Sequence, residues 1–127
     1  SFPYTGVCQQ FRELAVEYGF IERYPKGRAS VTKIAHEPWS FRYVGYPHSK
    51  LIYERGLVLE EYIEHIKRFS YGNVHLRLRY ARQEFEIFYV PMRSDKSVEI
   101  KIQDSIPFQI SGNNDDGFII TLWGHQI

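Results

Sequence analysis

Apolar positions recur at helical spacing in "TGVCQQFRELAVEYGF", where Val7, Phe11, Leu14, Ala15 and Tyr18 fall on one stripe. The spacing predicts an amphipathic helix, with Thr5 as its N-cap and Gly19 as its stop. "ERYPKGRAS" predicts a turn, punctuated by Pro25 and Gly27. "SVTKIAHEPW" opens as a strand and then meets Pro38, which lacks an amide donor and restricts Glu37 before it. The strand is therefore expected to bend or to lie at an edge there, with "SFRYVG" resuming the extended pattern. "YPHSKLIYERG" predicts a short helix, Pro47 suiting its first turn and Gly56 its C-terminal stop. "LVLEEYIEHIKRF" predicts a second, with Leu59, Tyr62, Ile63, Ile66 and Phe69 as its apolar stripe.

From about residue 70 the periodicity changes to two. In "NVHLRLRY", Val74, Leu76, Leu78 and Tyr80 alternate with His75, Arg77 and Arg79. "EFEIFYVP" follows after a short turn, as in a hairpin. "SVEIKIQ" alternates again, and "FQISGNNDDGFIITLW" carries two strand patterns around a Gly/Asn/Asp turn. About five short strands are expected. The fold class is thus α+β: a helix and antiparallel-sheet region over 1–69, then a small all-β unit over 70–127.

The chain has 127 residues, 43% of them apolar and 17% aromatic, enough to bury a core and too rich in large side chains for a disordered segment. The net charge of +1 gives neither a nucleic-acid footprint nor a polybasic membrane signal. No apolar run approaches the ~18 residues of a membrane span, and no signal segment opens the chain. The single cysteine, Cys8, forms no intrachain disulfide and is expected to be a small hydrophobe on the first helix.

Candidate chemistry concentrates around "HEPWSFRYVG". Glu37 stands beside a bulky aromatic, Trp39, at a backbone bend. A carboxylate held against an aromatic wall suits acid–base work; the plainer reading is a solvated turn residue. Five histidines are scattered through the chain, at 36, 48, 65, 75 and 125. There is no H-E-x-x-H, and no two histidines lie four apart on a helix. His65 and His75 are expected at the surface, leaving His36 and His48 as the candidates near Glu37. His75, Arg77 and Arg79, with Arg82 nearby, form a basic strand face: a solvated surface, or a contact for an anionic polymer. "SGNNDDGF" offers oxygen ligands without EF-hand spacing and is expected to be a turn. Ser40 has no G-x-S-x-G elbow and no activating neighbour in sequence.

"YGFIERYPKG" and "EPWSFRYVGYPHSKLIYERGLVLEEYI" together resemble the C-terminal half of the VanY-type D-alanyl-D-alanine carboxypeptidases, zinc peptidases of bacterial peptidoglycan metabolism. The resemblance covers about residues 7–68 and rests on the pattern E-P-W-H-F-R-Y-V-G, then a helix and L-x-L-E-E-Y. "ISGNNDDGFIITLWG" looks like the β extension of some clostridial members. The resemblance implies that Glu37 stands at the position of the general base and Trp39 at the pocket wall. It also implies that Ser40 stands where the family has a zinc-ligating His. The remaining family ligands, a His and an Asp, belong to an S-x-H-x-x-G-x-A-x-D motif that these 127 residues do not contain.

A neutral hydroxyl is a poor substitute for a zinc donor. The expectation is therefore a truncated, catalytically inactive relative with no bound cofactor, acting otherwise as a non-catalytic cell-wall or protein-binding module. By resemblance its partner is the peptidoglycan stem peptide and its place the cell envelope or the extracellular space. A sheet that lacks its upstream strands has an exposed edge, which a homodimer or the β tail would cover.

Overall fold

A computed structural model describes residues 3–93, 97–113 and 115–124. They divide into two compact units, 1–62 and 63–127, with the division inside a helix. In the first unit α1 (Gly6–Glu17) leads into β1 (Phe20–Tyr24). The turn α2 (Ala29–Thr32) is followed by β2 (Glu37–Tyr43), α3 (His48–Glu54) and the start of α4 (Leu59–Ile66). β1 and β2 form an antiparallel pair.

The expected first helix forms and stops at Gly19, whose φ is +90°. A β-carbon at Gly19 would lie 2.8 Å from the Tyr43 ring and 3.0 Å from the Gly45 backbone, so the close approach of these segments requires glycine. The Gly19 carbonyl accepts from the amides of Val44 and Gly45, tying the end of α1 to the end of β2. Thr5 has the extended backbone of an N-cap but makes no side-chain cap. The orientation of the helix runs against its periodicity. An amphipathic helix ordinarily turns its apolar stripe inward. Here Arg12 and Val16 are the buried positions, while Val7, Phe11, Leu14 and Tyr18 are exposed.

The expected strand over 30–39 is corrected: Ala29–Thr32 is a single helical turn, ended by Lys33 at φ +66°. The β-branched residues that suggested a strand are overridden by a local bond pattern. Thr32 Oγ1 donates to the Ile34 carbonyl and accepts from the Ile34 amide. The extended segment begins at Glu37 instead. Its irregularity falls where Pro38 predicted one: Glu22 pairs with Phe41 but Tyr24 with Glu37, so β1 advances two residues while β2 advances four.

α3 and α4 form where expected, with Gly56 in the left-handed region after α3. Pro47 serves as the N-cap of α3 rather than its first turn, following a cis Tyr46–Pro47 bond. The start of α4 is fixed by Glu61, which accepts from the Val58 amide three residues back, one half of a capping box. That amide, and then Arg28, hold the Glu61 carboxyl below its ordinary range. The core of this unit comprises Val16, Ile21, Leu51, Ile52, Val58, Leu59 and Tyr62.

In the second unit, β3 (Leu76–Tyr80), β4 (Gln83–Pro91), β5 (Phe108–Gly112) and β6 (Gly117–Trp123) make an antiparallel sheet in the order β3-β4-β6-β5. Four strands stand among the described residues rather than five. "SVEIKIQ" joins no ladder; Ile100 and Ile102 pack half-buried against Phe88, Val90, Ile120 and Leu122, while the Lys101 amide donates to Tyr71 Oη. Val74, expected on the apolar face of β3, precedes the strand and is exposed. Residues 85–90 of β4 are buried without a break, as befits a central strand covered on both faces. At the head of β6, a β-carbon at Gly117 would lie 2.5 Å from both the Val90 carbonyl and Tyr89 Oη, which excludes any larger residue.

Candidate functional site

β2 carries the residues that the sequence singled out. Glu37 opens the strand opposite Tyr24 and is half-buried. Trp39 is 73% exposed. Ser40 is half-buried, and Trp39 and Ser40 lie in the irregular stretch between the Tyr24–Glu37 and Glu22–Phe41 pairs. Bulges of this kind re-aim side chains next to sites.

The histidine before Glu37 joins a cluster with no signal in the sequence. Tyr4 Oη donates to Glu22 Oε1 at 2.7 Å and lies 3.1 Å from His36 Nε2; the Lys26 amide donates to the same Tyr4 oxygen. His36 Nε2 is 3.5 Å from Glu22 Oε1. Arg12, 4% exposed, reaches Glu22 Oε2 at 3.4 Å, donates to the Pro3 carbonyl and stacks 3.8 Å from the centre of the Tyr4 ring. Burial, more than the neighbouring carboxylate, raises the Tyr4 hydroxyl pKa. Tyr4, Arg12, Glu22 and His36 lie up to 32 positions apart, so no local pattern announces them. Nearby, Arg23 grips Glu60 with two bonds, at 2.9 and 2.6 Å, and that bond raises its own pKa.

The other candidates lie elsewhere. His48 is fully enclosed in the first unit, with Nδ1 2.5 Å from Tyr62 Oη, and burial alone lowers its pKa to about 4. It is a neutral core histidine. Cys8 is half-buried on α1, as expected. His65 is half-buried and packs edge-on against Phe69.

In the second unit His75 is corrected from a surface residue to a largely buried one. Its Nδ1 lies 2.6 Å from Glu86 Oε2, its Nε2 donates to the Tyr71 carbonyl, and its ring stacks on Phe88. The basic face of β3 is thereby reduced to Arg77 and Arg79, whose guanidinium groups stand 3.6 Å from Glu86 and 3.5 Å from Glu84. Of "SGNNDDGF", Asn114 lies outside the described residues; Asn113 and Asp116, between β5 and β6, are engaged within the fold. His125 lies outside the described residues.

Could these residues hold zinc? A catalytic zinc takes three protein donors and leaves one position open. Among the described residues, no group of three or more His, Cys, Asp or Glu side chains converges. Glu37 and Ser40 supply one carboxylate and one neutral hydroxyl, and the two histidines nearest in sequence, His36 and His48, are engaged with Tyr4 and Tyr62. The donor set does not fit the metal.

A β-strand bearing E-P-W and accompanied by helices fits the α+β scaffold that the sequence resemblance implies, and known proteins share it. A VanY family model, D-alanyl-D-alanine carboxypeptidase, matches residues 1–46. A D-alanyl-D-alanine carboxypeptidase of Enterococcus faecium is 40% identical over 111 residues, 87% of this chain and 35% of that protein. The bifunctional D-Ala-D-Ala dipeptidase and carboxypeptidase VanXYC of Enterococcus gallinarum is 42% identical over 69 residues, 47% of this chain and 36% of its own. The crystal structure of the vancomycin resistance D,D-dipeptidase VanXYg, in complex with a D-Ala-D-Ala phosphinate analogue, superposes with a TM-score of 0.89 at 49% identity. It covers 98% of this chain and 49% of that one. Over these stretches the chain is similar to the VanY-type D-alanyl-D-alanine carboxypeptidases. It spans about a third of the length of these two enterococcal proteins. No helix among the described residues is long and apolar enough to cross a membrane.

Proposed function

We propose that the chain is part of a peptidoglycan D-alanyl-D-alanine carboxypeptidase scaffold that, as its residues stand, forms no zinc centre and hydrolyses nothing. One observation supports this reading: Ser40 stands, by the resemblance, where the family has its zinc-ligating His, in an otherwise matching E-P-W-x-F-R-Y-V-G segment. In the family, zinc would polarise the scissile carbonyl and supply hydroxide. Without it Glu37, at the base position, has no metal-bound water to deprotonate. Trp39, exposed at the rim, remains able to meet a stem peptide at the cell envelope.

The test is zinc titration by calorimetry, with D-Ala release from a D-Ala-D-Ala peptide as the second readout. No stoichiometric zinc uptake and no release above background are expected. Tight zinc accompanied by turnover would refute the reading.

A second reading, a non-catalytic cell-wall-binding module, draws on the solvent-facing Arg77 and Arg79 of β3. It predicts that purified peptidoglycan retains the chain, and that changing both arginines to Ala sharply reduces retention. Their proximity to Glu84 and Glu86 weakens the net positive field. Equal retention of both proteins would remove β3 from the account.

A further inference from the structure

Among the described residues, β3 and β5 are the two edges of the sheet in the second unit, and they are guarded unequally. β3 carries Arg77 and Arg79, with Arg82 just beyond, and charged side chains on an edge strand discourage pairing with another chain. β5 has the same length and lies in a stretch with no charged residue between Asp104 and Asp115. Every residue of β5 is exposed, Phe108 and Ile110 by 53% and 54%. Its register fixes which backbone groups look outwards. The Pro107 carbonyl accepts from the Trp123 amide, and the Asn113 amide donates to the Gly117 carbonyl, so the odd-numbered residues turn their peptide groups towards β6. Phe108, Ile110 and Gly112 therefore direct theirs away from the sheet, where no described residue takes them. These three pair with Leu122, Ile120 and Phe118 and share one face with them. On that face lies a groove of about 240 Å³, lined in part by Val90, Ile100, Ile110, Phe118 and Ile120. The space above Gly112 is open: a β-carbon there would meet nothing within 4 Å.

We propose that β5 pairs antiparallel with β5 of a second copy of this chain, about a two-fold axis at Ile110, so that the two four-stranded sheets run on as one. The occupant follows from the sequence of the edge itself. Antiparallel pairing centred on Ile110 sets that residue opposite its own copy and sets Phe108 opposite Gly112 in both directions. Phe108, Ile110 and Gly112 then each donate an amide and offer a carbonyl across the new ladder, satisfying the outward groups together. The partner's Phe108 lies over Gly112, in the open space, and reaches Phe118 beside it. An aromatic ring opposite an edge glycine covers backbone that glycine leaves bare, a stabilising cross-strand pair. On the other face Gln109 stands opposite Ser111, an amide against a hydroxyl. A shift of two residues in either direction takes Phe108 away from Gly112, so the complementarity selects one register. The contact is isologous and closes at two copies. Every residue in it belongs to the second unit, so the inference does not depend on the zinc question.

The experiment is sedimentation velocity of the 127-residue chain over a concentration series. A reversible monomer–dimer equilibrium is expected. Ile110→Lys and Ile110→Glu each set like charges against each other at the axis and should weaken the dimer by about tenfold or more. Mixed together, the two variants should associate again, because position 110 meets itself and the charges are then opposite. Gly112→Val fills only open space in the single chain, so its far-UV circular dichroism and urea midpoint should stay close to the parent's. It should nevertheless weaken the dimer, by displacing the partner's Phe108. A chain that stays monomeric at every concentration would overturn the proposal. So would a dimer that keeps its affinity in Ile110→Lys, which places the contact elsewhere on the molecule. A mixture of the Lys and Glu variants that remains monomeric would overturn the two-fold pairing at Ile110, and a dimer indifferent to Gly112→Val would overturn the register.

Discussion

The first unit should lose stability steeply on acidification, through His48. Its ring is enclosed by the fold, 6% exposed, and burial pushes its pKa down from 6.5 to about 4. The unfolded chain keeps the ordinary value, so between pH 6.5 and 4 it binds a proton that the folded chain refuses. Stability therefore falls as the pH drops through this window, and the contribution is fully lost below about pH 4. At 1.36 kcal/mol per unit, the loss amounts to about 3 kcal/mol. Urea unfolding followed by circular dichroism at pH 7, 5.5 and 4 measures it. Carboxylates whose pKa values the fold depresses, such as Glu61, also lose stability on acidification, so the comparison that isolates His48 is His48→Gln. That variant should be weaker at pH 7, having lost the Tyr62 contact, and should show a shallower decline towards pH 4. Parallel profiles for the two proteins would assign the acid sensitivity elsewhere.

His48 also shows how far sequence proximity misleads. It stands eleven residues from Glu37, near enough to be a candidate ligand, yet α3 turns it into the core. Periodicity located α1, α3, α4 and the strands β3, β4, β5 and β6, because each has its own spacing of apolar positions. It could not say what α1 faces, since a stripe specifies a surface without naming the partner. β1 was missed because Phe20–Tyr24 becomes a strand only through pairing with β2, about twenty residues away. "SVEIKIQ" had the right alternation and no neighbour to pair with; its isoleucines pack all the same.

The site divides in the same way. Glu37, Trp39 and Ser40 were singled out because their spacing resembles a family strand, and the irregularity in β2 falls where Pro38 predicted one. The Tyr4–Arg12–Glu22–His36 cluster was not legible, being assembled by tertiary contact alone. Glu86, the buried acid that draws His75 inward, reads in sequence as one more polar position of an alternating strand. Cross-strand pairing with Arg77 places it on the same face as the arginines, with its carboxylate 3.6 Å from the Arg77 guanidinium.

The second large effect concerns the β5–β6 turn, whose oxygens in "SGNNDDGF" invited a calcium reading. Asn113 is buried, and its Oδ1 accepts from the amides of Asp115, Asp116 and Gly117 at 3.0, 3.0 and 3.1 Å. Its Nδ2 donates to Asp116 Oδ1, which also accepts from Tyr89 Oη; Lys67 Nζ closes the set on Asp116 Oδ2. The Tyr89 hydroxyl is pushed up to about 12, first by burial and then by that carboxylate. Asp116 is held well below the usual range, chiefly by Tyr89 and then by Asn113 and Lys67. A single side-chain oxygen thus organises three backbone donors, one of them at the buried Gly117. Asn113→Ala should cost about 2–3 kcal/mol, because the turn loses its acceptor and the Gly117 amide is left inside without one. Asn113→Asp keeps the acceptor but loses the Nδ2 donor and sets a carboxylate beside Asp116, so it should fall between the two. Urea midpoints give the order, and amide exchange at Gly117 should quicken in the Ala variant. If Ala and the parent unfold together, these bonds contribute nothing net, and the strand pairing of β5 with β6 must hold the hairpin by itself.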